Sequence, residues 1–317
     1  MFFFYIIIFI ASFVLLILSS KWLIGALMKL AKFLGWKEFV VAFFTMALAG
    51  AVPNLSVGLS SILHRVPQLS FAEIVGGNII DLTVAIALAA LISKKGLTLA
   101  SRTVQGSAIF TLIVAVLPLL LIADGQLSRI DGLLLILAFF IYMFWLFRKK
   151  DRFSKVYNKI REPLGFRTAF QNIGILLGTI ALLLLAAEGI VRSATFFSTT
   201  LNFPLVLIGV LIVGLGNALP EIFFGIQAAR KGNDWLVAGN IMGSVIIPAT
   251  LVLGLVAFLS PIRITDFSPF AIGRFFLIIS AIFFLLFLRT GRKITKKEAV
   301  FLLIIYLLFV LIEILFS

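Results

Sequence analysis

Three acidic residues of this 317-residue chain stand where acids are costly. Glu221 follows Pro220 inside the apolar run 204–228, Asp81 lies within the run 71–93, and Glu73 opens that run. Hydrocarbon offers a carboxylate no water, so such a group lines a polar path or finds a partner. The chemistry open to it is to bind a cation or to carry a proton. Asn54 and Asn217 add amide oxygens and Ser244 a hydroxyl. The pairs Pro53–Asn54 and Pro220–Glu221 add a further donor, since a proline has no backbone N–H and leaves a carbonyl one turn earlier without its helical partner. A structural reading stands beside this one, in which Glu221 is protonated and bonded to Asn54 or Asn217. There is no cysteine and the only histidine is His64, so thiolate and His-rich metal sites are excluded. No Walker motif or nucleophile–base pairing is present, and the reading is not an enzyme.

The elements that must hold these residues are apolar helices. Hydrophobic residues make up 62% of the chain, with 34 phenylalanines, well above the roughly 45–50% of soluble domains. Ten apolar segments are expected to span a bilayer, over 3–26, 39–63, 71–93, 105–122, 130–147, 169–195, 204–228, 235–259, 268–288 and 298–316. The net charge is +14, and its distribution sets the orientation. With the N-terminus outside, the outer connections and helix ends hold only Arg65, Arg129, Arg192, Arg263 and Arg274. The inner ones hold nearly all the other basic residues, including Arg148, Lys149, Lys150, Arg152, Lys155, Lys159, Arg161 and Arg167. Basic loops stay in the cytoplasm, so both termini are expected to be extracytoplasmic. The lipid bilayer, rather than nucleic acid, accounts for the charge. Glu188 and Arg192, four residues apart on one helix, read as an i,i+4 ion pair.

The stretch 148–168 is the only sizeable polar segment. It reads as a cytoplasmic linker between a first half, 1–147, and a second, 169–317. Five spans per half force the halves into opposite orientations. Sliding the chain by 167 residues lays 49–88 over 216–255 without a gap and pairs Pro53 with Pro220, Asn54 with Glu221, Gly76 with Gly243, and Asp81 with Pro248. Both segments read as a helix broken at a small residue–x–Pro–polar motif, a short connection, and a helix opening on glycine-rich sequence. Discontinuous helices in corresponding places of inverted halves point to an ion site near the midplane.

These paired segments, 39–93 and 204–259, resemble the alpha-repeats of the cation/calcium antiporter superfamily, most closely its prokaryotic sodium/calcium exchanger branch. The second, "GNALPEIFFGIQAARKGNDWLVAGNIMGS", has the Leu-Pro-Glu break, the basic-Gly turn and the Gly-Asn-x-x-Gly-Ser opening. The flanking "AAEGIVRSA" and "WLIGALMKLAKFLGW" look like the family's entry helices. The resemblance implies an all-α integral membrane protein of a prokaryotic cell membrane, with ten transmembrane helices in two inverted five-helix repeats and broken helices at a central ion site. It implies a secondary antiporter that exchanges Ca2+ for Na+ by alternating access and uses no cofactor.

Residue by residue, Glu221 matches the second-repeat glutamate, Ser244 the second-repeat serine, and Asp81 the Asn or Asp of the first repeat. Ala47 and Gly214 stand where backbone carbonyls are offered to sodium. The chain departs from the pattern at Asn54 for the first-repeat glutamate, and at Gly77 for its serine. Gly50 and Ala51, and likewise Asn217 and Ala218, replace Thr-Ser pairs, and Pro248 replaces the second-repeat Asp or Asn. Calcium prefers about six to eight oxygens, several of them anionic, and this set has lost one carboxylate and several hydroxyls. Coupling to H+ or to another metal on the same fold is therefore an alternative, as is a non-transporting relative kept as an assembly partner. Glu73 lies eight residues before Asp81 on nearly the same helix face. It is expected as an acid at the outer mouth of the pathway, or as a solvated carboxylate favoured by the helix dipole.

Overall fold

The computed structural model describes residues 1–33, 38–99, 102–148, 166–264 and 268–316; over 27–33, 38–50, 166–172 and a few neighbouring positions it describes the backbone alone. The expected linker lies largely outside the described residues, as does the side chain of Ala47. Ten helical runs follow one another: α1 (Phe2–Phe33), α2 (Glu38–Leu63), α3 (Gln68–Ile92), α4 (Arg102–Leu121), α5 (Arg129–Arg148), α6 (Phe166–Leu201), α7 (Leu205–Arg230), α8 (Asp234–Leu259), α9 (Ser268–Thr290) and α10 (Lys296–Phe316). Among the described residues, nine helices are long and apolar enough to cross a membrane; of the tenth expected span, α2, the described apolar part is Ala51–Leu63. Large side chains such as Phe3, Leu120, Leu185 and Leu307 are exposed on the outside, as expected of helices whose outer solvent is lipid.

The offset read in the sequence recurs in the backbone. In α3 an α-helical Gln68–Ile80 gives way to a π-helical turn at Asp81–Ala85 and then to Ile86–Ile92. In α8, Asp234–Ile247, a π turn at Pro248–Val252 and Leu253–Leu259 repeat that order. The N–H of Ile86 bonds to the carbonyl of Asp81, and that of Leu253 to the carbonyl of Pro248. Thr83 Oγ1 donates to the carbonyl of Ile79, and Thr250 Oγ1 to that of Ile246. A π turn shifts the hydrogen-bond ladder by one residue, and a threonine hydroxyl serves the carbonyl at the step. Capping boxes recur too. Ser128 and Asp131 bond reciprocally before α5, and Thr295 and Glu298 do so before α10.

Two short antiparallel ladders tie the connections together: Leu97–Thr98 pairs with Lys293–Ile294, and Gln126–Leu127 with Ile262–Arg263. Each joins a loop after α3 or α8 to a loop before α10 or α5. The long helices α1 and α6 lie along each other, sealed by rings such as Tyr5 stacked on Phe196 at 4.0 Å, and each also touches α2. The expected Glu188–Arg192 pair is present, with Arg192 Nε 2.6 Å from Glu188 Oε1. Ser60 Oγ donates to Glu188 Oε2 at 2.9 Å and His64 Nε2 lies 3.1 Å from Oε1, so this acid also ties α2 to α6.

One expectation differs from the backbone. The sequence places breaks at Pro53 and Pro220, yet both prolines lie inside helices that continue through them. A proline deletes one donor and leaves the rest of the ladder able to form. The departures from α geometry lie instead in the two π turns and in a third at Gly209–Val213, one turn before the motif of α7.

Candidate ion-binding site

The helices α2, α3, α7 and α8 pack against one another. At their meeting point is a small cavity with about 10 Å³ of free room, lined by Asn54, Glu73, Ile74, Gly77, Asn78, Asp81, Asn217, Ala218, Glu221, Ser244 and Pro248. That is space for one water-sized sphere. Helical spacing sets the lining. From α3 come residues 73, 74, 77, 78 and 81, which follow i, i+1, i+4, i+5, i+8 and share one face; from α7 come 217, 218 and 221; from α8 come 244 and 248. Among the described residues, no lysine, arginine or histidine lines the cavity.

Small residues let the helices come close enough to build it. A Cβ on Gly76 would lie 2.0 Å from the carbonyl oxygen of Val210, and one on Gly214 would lie 2.8 Å from the backbone nitrogen of Gly77. At Gly209 it would lie 2.6 Å from Cβ of Ala72. The face of α3 that carries Glu73 is thus pressed backbone to backbone against the π turn of α7, the small-residue packing on which apolar helices rely in lipid.

The polar atoms inside are only partly satisfied. Asn217 Nδ2 donates to Asn54 Oδ1 at 2.9 Å and also to Glu73 Oε2. Ser244 Oγ donates to the carbonyl of Ile241 at 3.0 Å. Asn240 Nδ2 reaches the backbone carbonyl of Glu221 at 3.4 Å. Four buried oxygens remain without a hydrogen-bond partner: Glu73 Oε1, Asp81 Oδ1, Asn217 Oδ1 and Glu221 Oε2. An unpaired buried acceptor costs about 1–3 kcal/mol, and more when charged. All four belong to residues that line the one cavity. Among the described residues, no three Asp, Glu, His or Cys side chains alone are grouped to hold a metal ion. A cation held here would need the amides and the hydroxyl in its donor set.

Six of the eight expected site residues therefore line one cavity: Glu221, Asp81, Asn54, Asn217, Ser244 and Glu73. Gly214 sits at the α3–α7 crossing, its carbonyl oxygen 3.8 Å from where a Cβ on Gly77 would stand. Glu73 is placed differently from either expectation, neither solvated nor at a mouth. It is 1% exposed and bonded to Asn217. The chain before Gln68 runs through Val66 and Pro67 directly back to α2, and the first turn of α3 is covered by protein rather than open to water. Asn78 was not singled out from sequence, although it shares the helical face of Glu73 and Asp81, and that period would have found it.

Comparison with known proteins now bears on the site. The family model described as "Sodium/calcium exchanger protein" matches residues 4–148 and again 171–315. The chain belongs to the sodium/calcium exchanger protein family. It is 28% identical to the inner membrane protein YrbG of Escherichia coli over 293 residues, 87% of this chain and 86% of that one. It is 25% identical to the sodium/calcium exchanger MaX1 of Methanosarcina acetivorans, over 94% and 95% of the two chains. Its identity to the putative antiporter CaxA of Alkalimonas amylolytica is also 25%, over 93% of each. Its fold matches a solved structure of the sodium-calcium exchanger NCX_Mj with a TM-score of 0.64, 22% identity, and 97% and 98% coverage. This exchanger-family chain is a multi-pass integral membrane protein, and its cavity is formed by helices that its family model matches in both halves.

Proposed function

We propose that the protein is a secondary-active antiporter that exchanges calcium for sodium. The observation that carries the reading is the set of four partnerless buried oxygens, three of them from carboxylates, around a cavity with room for one ion. Family membership and the names of MaX1 and CaxA support it. A divalent ion draws on the carboxylates, the amide oxygens of Asn54 and Asn217, and Ser244. Sodium draws on the same carboxylates together with backbone carbonyls, Gly214 and Ala47 among them. One set of acids cannot serve both ions at once, and this exclusive occupancy couples the two fluxes. Leaving the site empty costs several kcal/mol for each uncompensated buried charge, so an unloaded carrier is disfavoured. No chemical bond is made or broken.

The reading includes two inverted five-helix halves, 1–147 and 169–317, joined by the cytoplasmic linker 148–168, that rock or slide about the site. The fixed offset of the π turns, their threonines and the capping boxes supports it. So does the pairing of the two short ladders, because each joins loops separated by an even number of helices. The deciding experiment is flux in sealed vesicles with calcium, sodium, proton and potassium gradients varied one at a time. Calcium uptake driven by outward sodium is expected. Uptake driven by a proton gradient alone would select the proton-coupled alternative, and no flux of any cation would leave an assembly role.

Two further results are expected. Asp81→Asn removes one anionic ligand while keeping the size of the side chain. Divalent affinity should fall at least about tenfold, or about 1.4 kcal/mol, with gel filtration and melting temperature nearly unchanged. Unaltered affinity in calorimetry would take Asp81 out of the site. For orientation, the absence of native cysteine lets single cysteines report sidedness. A cysteine at Ser154 should resist an impermeant thiol reagent in intact cells while one at Ser317 reacts, and the reverse pattern would invert the topology.

A further inference from the structure

We infer that the second glutamate of the ion site has moved from α2 to α3, so that Glu73 supplies the charge that Asn54 lacks. The inference rests on the exchange reading above and concerns the same cavity. Asn217 joins the two positions, since its one amide nitrogen donates both to Asn54 Oδ1 at 2.9 Å and to Glu73 Oε2. The carboxyl of Glu73 therefore lies beside the amide of Asn54, although the two residues belong to different helices. Its other oxygen, Oε1, is buried and partnerless, as are Asp81 Oδ1 and Glu221 Oε2 of the same cavity lining. A buried carboxylate oxygen without a hydrogen-bond partner is costly until a cation or a proton takes it up. This one has a single bond and is 1% exposed.

The backbone explains how α3 can take over the role. Gly214 lies so close to this helix that a Cβ would come within 3.1 Å of the Glu73 carbonyl oxygen. That contact holds the Glu73 level of α3 against the Asn217 level of α7. A side chain one methylene longer than asparagine reaches from α3 the place that a residue on α2 would reach from the other side. With Glu73 included, three acidic residues line the cavity, to be completed by the amides and the hydroxyl because no three acids alone are grouped there, and no described cationic side chain lines it. The acid missing at position 54 is thus replaced in count as well as in place.

The test uses the full-length protein in detergent, with binding of calcium chloride and of sodium chloride followed by calorimetry. Glu73→Gln keeps an oxygen able to accept the Asn217 amide, so a positioning role survives the change and only the charge is lost. Calcium affinity is expected to fall at least tenfold in Glu73→Gln. The double variant Asn54→Glu/Glu73→Gln, which returns the acid to α2, should bind within about threefold of the parent. Parental affinity in Glu73→Gln, with Glu221→Gln and Asp81→Asn both weakened, overturns the inference and leaves the exchange reading standing. A weakened Glu73→Gln that the double variant does not rescue also overturns the relocation. If Glu73→Gln does not fold, Glu73→Asp keeps the charge and retracts it by one methylene. A loss of more than threefold is then expected, and parental affinity overturns the inference. A parent that binds neither ion removes the exchange reading, and this inference with it.

Discussion

Glu221→Gln is expected to bring sodium-driven calcium uptake down to the level of empty vesicles, a loss of at least about 100-fold, with the fold intact. The fold survives because glutamine keeps the size of the side chain and an oxygen able to accept hydrogen bonds. Glu221 Oε2 has no hydrogen-bond partner, and Asn240 bonds to the backbone carbonyl of this residue rather than to its carboxyl. Transport fails because the ion loses an anionic ligand in a place screened from water. Two unit charges about 4 Å apart attract by about 4 kcal/mol at an effective dielectric constant near 20, and a divalent ion doubles the attraction. Much of this is offset by the cost of stripping water from the ion. Keeping about 2.7 kcal/mol of it nonetheless corresponds to the 100-fold expected. Uptake of radioactive calcium into proteoliposomes measures it, with gel filtration and a melting curve as controls. Flux equal to the parent's would make Glu221 structural.

The second large effect is expected where no side chain exists. Gly76→Ala should cost stability and remove transport, whereas Gly77→Ala, one residue on, should leave the stability of the fold nearly unchanged. A Cβ at position 76 would meet the Val210 carbonyl oxygen at 2.0 Å, its carbon at 2.6 Å and Cα at 2.7 Å, all of them backbone atoms that cannot swing away. A Cβ at 77 meets only the Gly214 oxygen, at 3.8 Å, an ordinary contact. Forcing a methyl into a packed interface costs typically about 1–3 kcal/mol. Here relief requires α3 and α7 to separate, and those helices carry Glu73, Asp81, Asn217 and Glu221. The measurement is a pair of melting curves in detergent together with calcium uptake. A drop of several degrees with lost flux is expected for Gly76→Ala, and an unchanged melting temperature for Gly77→Ala. Equal behaviour of the two variants would show that the crossing is slack and that the cavity does not depend on it.

The prolines and the π turns show how far a local rule reaches. Pro53 and Pro220 were legible as places where one helical hydrogen bond must be missing, and each directly precedes a cavity residue, Asn54 or Glu221. They did not disclose whether the helix would stop. A helix with one missing bond continues if its neighbours hold it, and α2 and α7 do continue. The π turn at Pro248–Val252 has a local cause in a proline at its first position. Its counterpart at Asp81–Ala85 has none, and only the repeat at a fixed offset ties the two together.

By itself the sequence determined the ten apolar segments, the internal offset, and most of the polar residues that share the cavity. All three follow from the cost of placing a polar group in hydrocarbon, which is paid residue by residue whatever the partners are. Only the tertiary structure decided that a Cβ is barred at Gly76 and meets no close backbone at Gly77, and that Asn217 bridges Asn54 and Glu73. It also decided that Glu73 is buried at the ion cavity rather than wet at a mouth. Those facts depend on how far one helix is rotated and shifted against another. Hydropathy along a chain states which face is apolar, but the depth at which two faces touch is set by the backbones that meet there.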